Sequence, residues 1–293
     1  CWIKRHLLSM NDLASIVIIT FNQLRATKRC LKSIRESTRV NYELVIVDNA
    51  STDGTGEYLK RIRVKKIILN TENLGFARGV NQAVRLCEGK YLVLLNNDTM
   101  VTPGWLDKMI ACLESNSKIA LVGPLSNELY RGPQLFRPAW LSYVDYDFFR
   151  KTHAKNIRGN RTRLLQASRY RNETEFKRFV REFFPRAKPP SYREVDGVTG
   201  FCVLMRRAWF QKLGYFDEQF ETGSEDFDLN IRTLLAGKKI VVAENVFVHH
   251  DAGRSFLGAG VDRWAHYAKT WKLLEKKWDK VPRAKQLIQE YVS

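Results

Sequence analysis

Glu43–Thr55 reads ELVIVDNASTDGT, and its two halves obey different rules. Leu44–Asp48 is a β-branched run, apolar on both faces, whereas the residues after it are Asp, Asn, Ser and Gly, which make turns. A strand that is apolar on both faces belongs inside a helix-covered, largely parallel sheet. Outward from this stretch the same pattern recurs in Ser15–Thr20 (SIVIIT), Lys65–Leu69 (KKIIL), Tyr91–Leu95 (YLVLL) and Ile119–Val122 (IALV). Helical spacing fills the gaps over about Gln23–Glu36, Asp53–Arg63, Phe76–Glu88 and Pro103–Glu114, the last opened by proline in its first turn. The alternation predicts an α/β chain: a Rossmann-like, doubly wound, mostly parallel sheet with helices on both faces. Ligands of such a sheet sit beyond the carboxyl ends of its strands. The informative residues are therefore Thr20–Asn22, Asp48–Ser51 and Asn96–Asp98.

The 293 residues carry 49 Lys and Arg against 31 Asp and Glu, a formal charge of +18. Hydrophobic residues make up 44% and charged residues 27%, which supports a real core and excludes wholesale disorder. No apolar run reaches the roughly 18 residues that cross a bilayer. The charge is uneven. Arg131–Arg193 holds 16 Lys/Arg against 5 Asp/Glu, a net +11, which leaves +7 for the other 230 residues. Strand runs vanish in that segment, and patterning returns at Val195, with Asp196–Arg207 (DGVTGFCVLMRR) reading as a strand and Glu225–Ala236 as a helix. Ile240–Ala243 and Val246–His249 read as short strands. The expected organisation is an extension (1–12), a first half (13–130), a basic insertion (131–193), a second half (194–260) and a helical tail (261–293). In the tail Trp264, Ala268, Trp271, Leu274 and Trp278 recur at helical spacing.

Within the insertion, Glu175–Phe184 places Phe176, Phe179, Val180, Phe183 and Phe184 on one helical face, with Lys177, Arg178 and Arg181 between them. Such a helix lies in an anionic membrane interface, packs its aromatic face onto the domain, or forms part of an acceptor site. Five cysteines without a CxxC pair fit buried free thiols in a reducing compartment, and the apolar stretch of Cys1–Met10 is too short for a signal peptide.

Each polar cluster at a strand end has an ordinary and a chemical reading. Asp48 either caps its own turn or accepts the N3–H of a uracil-type base, with Thr20 and Asn22 lining the same pocket. Asn73–Asn81 (NLGFARGVN) opens a helix without a GxGxxG fingerprint; its glycines permit either phosphate approach, aided by Arg78, or close helix–sheet packing. Asn96-Asn97-Asp98 at the mouth of a buried strand either caps the following turn or holds a hard divalent cation. Glu225, Asp226 and Asp228 suit the first turn of a helix, and Thr222 with Glu225 forms a plausible capping box; alternatively one carboxylate acts as a general base. His249-His250 follow a short apolar strand and are candidate metal ligands.

Taken together, SIVIITFNQ, ELVIVDNASTDGT, NTENLGFARGVNQA, YLVLLNNDT, GFCVLMRRAWFQKLGYFDEQF, SEDFDLNIR and HDAGRSF, in this order, resemble the GT-A glycosyltransferases of family 2, of the kind that includes bacterial rhamnosyltransferases. The resemblance covers about residues 13–127 and 195–256 and implies the GT-A fold and inverting sugar transfer. The donor it implies is a UDP- or dTDP-sugar and the acceptor a glycan or lipid-linked glycan, in polysaccharide or cell-envelope biosynthesis. It places Thr20, Asn22, Asp48, Asn73, Gly75, Arg78, Asn81 and Asn97 at the nucleotide sugar. Asp98, His250 and Asn96 fall at Mn²⁺ or Mg²⁺ on the diphosphate, and Asp226, with Glu225, at catalysis as general base. Two departures stand out: Asn96 replaces an acid, and Gly223-Ser224 replaces the bulkier aromatic context before the acidic pair. The resemblance implies a cytoplasmic enzyme, with peripheral attachment to the inner face of the membrane left open. The competing classes are a nucleic-acid-binding protein, which the charge invites but no recognised fold supports, and an inactive scaffold of the same fold. The reading adopted has no nucleic-acid partner.

Overall fold

The computed structural model describes residues 12–127, 173–184, 191–251 and 263–292. Its strands are β1 (Ala14–Thr20), β2 (Tyr42–Asn49), β3 (Lys66–Asn70), β4 (Tyr91–Leu95), β5 (Thr99–Val101), β6 (Ile119–Leu125), β7 (Tyr192–Val195), β8 (Cys202–Arg206) and β9 (Lys239–His250). The helices are α1 (Leu24–Ser37), α2 (Thr55–Arg61), α3 (Gly75–Leu86), α4 (Trp105–Glu114), α5 (Glu173–Phe183), α6 (Arg207–Lys212), α7 (Glu225–Leu235), α8 (Arg263–Trp278) and α9 (Pro282–Val292).

One sheet collects the strands in the order β3-β2-β1-β4-β8-β6-β9-β5, with β7 beside β9. The first four are mutually parallel, β8 runs antiparallel between β4 and β6, and β9 is parallel to β6. Strands β1–β4, β6 and β9 therefore point one way, and their carboxyl ends share one edge. Alternation along β1 explains the two cores. Ile16 and Ile18 face α1, α2 and α4, while Val17 and Ile19 face α3, α5, α6 and α7. A third cluster docks α8 and α9 through Leu274, Leu287 and Ile288 on Phe220 and Ile231.

Three expectations change. Ile240–Ala243 and Val246–His249 join into the single strand β9, because it changes partners midway: Lys239–Ala243 lies on β6 and β7, and Val248–His250 on β5. A register shift at Pro124/Leu125 absorbs Glu244, Asn245 and Val246. The strand expected over Asp196–Arg207 shrinks to Cys202–Arg206, since Arg207 already opens α6. In the tail, Leu274 is buried as its spacing predicts, but Ala268 is exposed, and the side chain of Trp264 lies outside the described residues.

The amphipathic helix of the insertion, α5, buries Phe176, Phe179, Val180 and Phe184 in the second core. Phe179, Phe184 and Phe176 surround Phe247 of β9 with ring centroids 5.1, 5.2 and 6.4 Å away. The aromatic face is thus covered by the sheet, as the packing alternative requires; the side chain of Phe183 and residues 128–172 lie outside the described set. The four described cysteines are buried free thiols. Burial pushes Cys30 and Cys112 up to about 12 and Cys87 to about 11, which leaves them inert. No described helix is long and apolar enough to cross a membrane. Because Phe247 is the hub that α5 packs around, Phe247→Ala should cost about 3–5 kcal/mol in urea unfolding. It should also expose α5 to limited proteolysis before the rest of the chain.

Candidate active site at the carboxyl edge of the sheet

The parallel register sets Thr20 of β1 directly beside Asp48 of β2. Thr20 Oγ1 donates to Asp48 Oδ1 at 2.7 Å, and the Ser51 amide donates to Asp48 Oδ2 at 3.1 Å. The Asn22 amide donates to Ser51 Oγ at 2.7 Å, while Asn22 Oδ1 accepts from the Thr52 amide at 2.8 Å. Asn22 itself sits in the left-handed region at φ 57°. Asp53 then closes the seam, accepting from the Leu24 amide at the start of α1. Turn capping by Asp48 and convergence with Thr20 and Asn22 are therefore the same structure: the polar half of ELVIVDNASTDGT laces two strand ends together.

The second loop is anchored from across the sheet edge. Gly75, at φ 81°, lies so close to Glu221 that a Cβ would be 2.5 Å from its carbonyl oxygen. The amides of Ala77 and Phe76 donate to Glu221 O at 3.1 Å and Thr222 Oγ1 at 3.2 Å. Asn73 accepts from the Gly75 amide within the loop. Asn81 does not face this edge: its amide group binds Phe216 N, Phe216 O and Glu218, and Arg78 pairs with Glu218 at 3.3 Å. Asn97 likewise turns inward, donating to Thr27 of α1 at 3.0 Å. These three side chains hold neighbouring elements in place.

Beyond β4, Asn96 and Asp98 meet His250 at the end of β9. His250 Nε2 lies 3.2 Å from Asp98 Oδ1 and 3.4 Å from Asn96 Nδ2. Asp98 Oδ1 and His250 Nδ1 are buried without a hydrogen-bond partner among the described residues. A buried carboxylate oxygen with no donor, beside an imidazole, fits a divalent cation. Among the described residues no three His, Cys, Asp or Glu gather, so further ligands would come from Asn96 and a bound molecule. Of the two histidines, His249 turns to Asp251 at 2.9 Å, and burial holds its pKa below the ordinary value. Asp251 in turn pairs with Arg29, and its amide donates to Asp98 O.

Phe201, just before β8, stacks on the His250 ring with centroids 4.9 Å apart, and its carbonyl accepts from the Asn96 amide at 2.8 Å. The adjacent Gly200 amide donates to Asp226 Oδ2 at 2.8 Å. A continuous run of contacts thus joins Asp98, His250, Phe201, Gly200 and Asp226. Gly200 and Phe201 have no polar side chain to mark them as site residues, and their place here follows from β8 running antiparallel to β4.

The expected capping box does not form. Ser224, at φ 72°, is the residue before α7, Thr222 Oγ1 is used by Phe76, and Glu225 folds back to accept from the Gly223 amide. The acidic pair divides: Glu225 is 6% exposed and points inward, whereas Asp226 stays half-buried at the edge. Burial, then the Asp226 charge, pushes the Glu225 carboxyl up to about 8, and burial also raises Asp226. A carboxyl raised on folding stabilises the fold fully below its unfolded value and loses that contribution as pH climbs through the folded one. Thermal stability should therefore fall between pH 5 and pH 8. Glu225→Gln should flatten that fall and melt several degrees above wild type at pH 8.5; an equal difference at both pH values would refute the assignment.

The model of the family described as glycosyl transferase family 2 matches residues 15–214. The chain is 26% identical over 278 residues to the N-acetylglucosaminyl-diphospho-decaprenol L-rhamnosyltransferase of Mycobacterium tuberculosis, covering 90% of this chain and 85% of that protein. An uncharacterized glycosyltransferase of Haemophilus influenzae is 30% identical over 115 residues, which span 36% of its length. Among solved structures, GalNAc-T7 with UDP, GalNAc and Mn²⁺ superposes with TM-score 0.56 at 15% identity, covering 95% of this chain and 54% of that one. The mannosyltransferase PcManGT of Pyrobaculum calidifontis with GDP-Man and Mn²⁺ gives 0.56 at 16%, covering 94% and 73%. These likenesses identify the fold as GT-A, and with the family match over most of its length the chain belongs to glycosyl transferase family 2.

Proposed function

We propose that the chain transfers a sugar from a UDP- or dTDP-sugar to a hydroxyl of a glycan or lipid-linked acceptor, with inversion at the anomeric carbon. The observation that carries this reading is the run from Asp98 through His250, Phe201 and Gly200 to Asp226. It sets a candidate diphosphate site and a candidate base on one sheet edge. The similarity to a rhamnosyltransferase whose name specifies a diphospho-decaprenol substrate supports a lipid-linked acceptor.

In this mechanism Thr20, Asn22 and Asp48 border the nucleoside, and the Gly75 loop covers it. Asp98, His250 and Asn96 would hold Mn²⁺ or Mg²⁺, which when bound stabilises negative charge on the departing diphosphate. Asp226 takes the proton of the acceptor hydroxyl. Its Oδ2 accepts from Gly200 and its Oδ1 from the Phe227 amide at 2.8 Å, which fixes the carboxylate while leaving lone pairs for the hydroxyl. Burial that raises its pKa makes it a stronger base toward a weakly acidic alcohol. Attack opposite the leaving group then inverts the centre in one displacement.

Asp226→Asn should lower transfer by about 10²–10⁴-fold, the usual worth of a general base, while calorimetric binding of UDP or dTDP stays near wild type. Loss of nucleotide binding in a folded variant would remove Asp226 from the role. Asp98→Ala should weaken Mn²⁺-dependent nucleotide binding at least tenfold, and EDTA should do the same to wild type. Transfer undiminished in EDTA would refute the metal.

A further inference from the structure

A row of cations runs the length of α1. Arg25, Lys28, Lys32 and Arg35 follow at spacings of three, four and three, so they share one outward face of the helix, and all four are exposed, as is Arg39 just beyond its end. The opposite face, with Cys30, Leu31 and Ile34, is buried against the sheet. Beside it the end of α2 and the residues just after it carry four more cations, Lys60, Arg61, Arg63 and Lys65, and Lys28 Nζ lies 4.9 Å from the ring centroid of Tyr58 on α2. The two helices carry two acids, Glu36 and Glu57, each within reach of a lysine of its own helix. Residues 24–65 hold 10 Lys/Arg against 5 Asp/Glu, so +5 of the +7 outside the insertion falls here.

Like charges three and four apart repel along a helix and weaken it. Four in register on one face break a local rule with no compensating acid row among the described residues, and such a violation is expected where an outside counter-charge is met. Arg29, on the flank of the row, turns away to Asp251, so the row is separate from the pairing near the site.

We propose that the outward face of α1 and α2 docks on an anionic lipid bilayer. The row is straight and about 20 Å long for 14 helical residues, a flat array that meets many headgroups at once. Each cation adds attraction that fades within a Debye length. A single-stranded nucleic acid would instead want aromatic platforms, and the tyrosines here, Tyr42 and Tyr58, are half-buried beneath the cations. Helix α1 begins just after Asn22, at the edge that holds the site. Docking by this face therefore brings that edge to the membrane, where a lipid-linked acceptor presents its sugar; this clause rests on the function proposed above, whereas the docking itself does not.

The test is co-sedimentation of the full chain with vesicles of 30% phosphatidylglycerol in phosphatidylcholine and with phosphatidylcholine alone. Wild type should pellet with the anionic vesicles only and be released by 0.5 M NaCl. Lys28→Glu/Lys32→Glu/Arg35→Glu should lower the bound fraction at least tenfold, and the milder Lys32→Gln/Arg35→Gln a few-fold, with both variants folded by circular dichroism and Mn²⁺-dependent UDP or dTDP binding unchanged. Undiminished pelleting of the triple variant overturns the proposal, as does tighter binding of the row to single-stranded DNA than to the vesicles. If wild type binds vesicles through this face but no nucleotide, the enzymatic reading fails and the docking surface stands.

Discussion

One backbone hydrogen bond, from the Asn96 amide to the Phe201 carbonyl, sets the rest of the candidate site. It forms because β8 lies antiparallel to β4 with Leu95 opposite Cys202, so the start of one strand abuts the end of the other. From that junction Asn96 and Asp98 leave in one direction, while Phe201 and Gly200 leave in the other toward His250 and Asp226. The sheet thereby converts two residues more than a hundred positions apart into neighbours. No loop flexibility is needed, because both sides are held by ladder hydrogen bonds whose geometry is fixed.

A second constraint ties the Gly75 loop to the acidic pair. Residues 221–225 are gripped on one side by α3, through Ala77 and Phe76, and on the other by α8. Ser224 Oγ lies 3.1 Å from Thr270 Oγ1, and Gly223, at φ 99°, sits where a Cβ would be 2.7 Å from the Tyr267 ring. An aromatic side chain therefore does flank the acidic pair, delivered from the tail helix where the local sequence offers only Gly and Ser. Below it Asp228, fully buried, accepts from Lys277 at 2.7 Å, Arg232 at 2.8 Å and Trp278 at 3.0 Å. Breaking one partner of such a network leaves a buried charge exposed to low dielectric. The tail thus holds the helix that carries Glu225 and Asp226.

The sequence made the parallel half legible because its signals are local. Strands β1, β2 and β4 are continuous β-branched or aliphatic runs; Asp48 lies at the end of β2, and Asn96 and Asp98 follow β4. Strands β5 and β7, three and four residues long, have no periodicity to read, and they exist because β9 offers them an edge. Asn81, Arg78 and Asn97 follow the right motifs, but which way a side chain leaves its helix or turn depends on its neighbours. Glu218 and Thr27 claim them. Phe201 and Gly200 were invisible for the opposite reason: nothing about a Gly-Phe pair signals chemistry until strand direction places it beside His250. The split between Glu225 and Asp226 likewise turns on the positive φ of Ser224, which rotates the first turn so that one carboxylate enters the core.

That split has an electrostatic consequence. Two adjacent carboxylates near a low-dielectric interior cannot both ionise cheaply, so the pair titrates as a unit. Glu225 is the deeper of the two and has two backbone donors, whereas Asp226 has three and partial contact with solvent. Hydrogen bonds from amides favour the charged form, and burial favours the neutral one. The proton shared by the pair therefore resides on Glu225 and leaves Asp226 ionised. The inward acid does not need to reach a substrate to matter: by staying neutral it spares Asp226 a like charge at close range. The neighbouring acid remains available to accept a proton at the sheet edge.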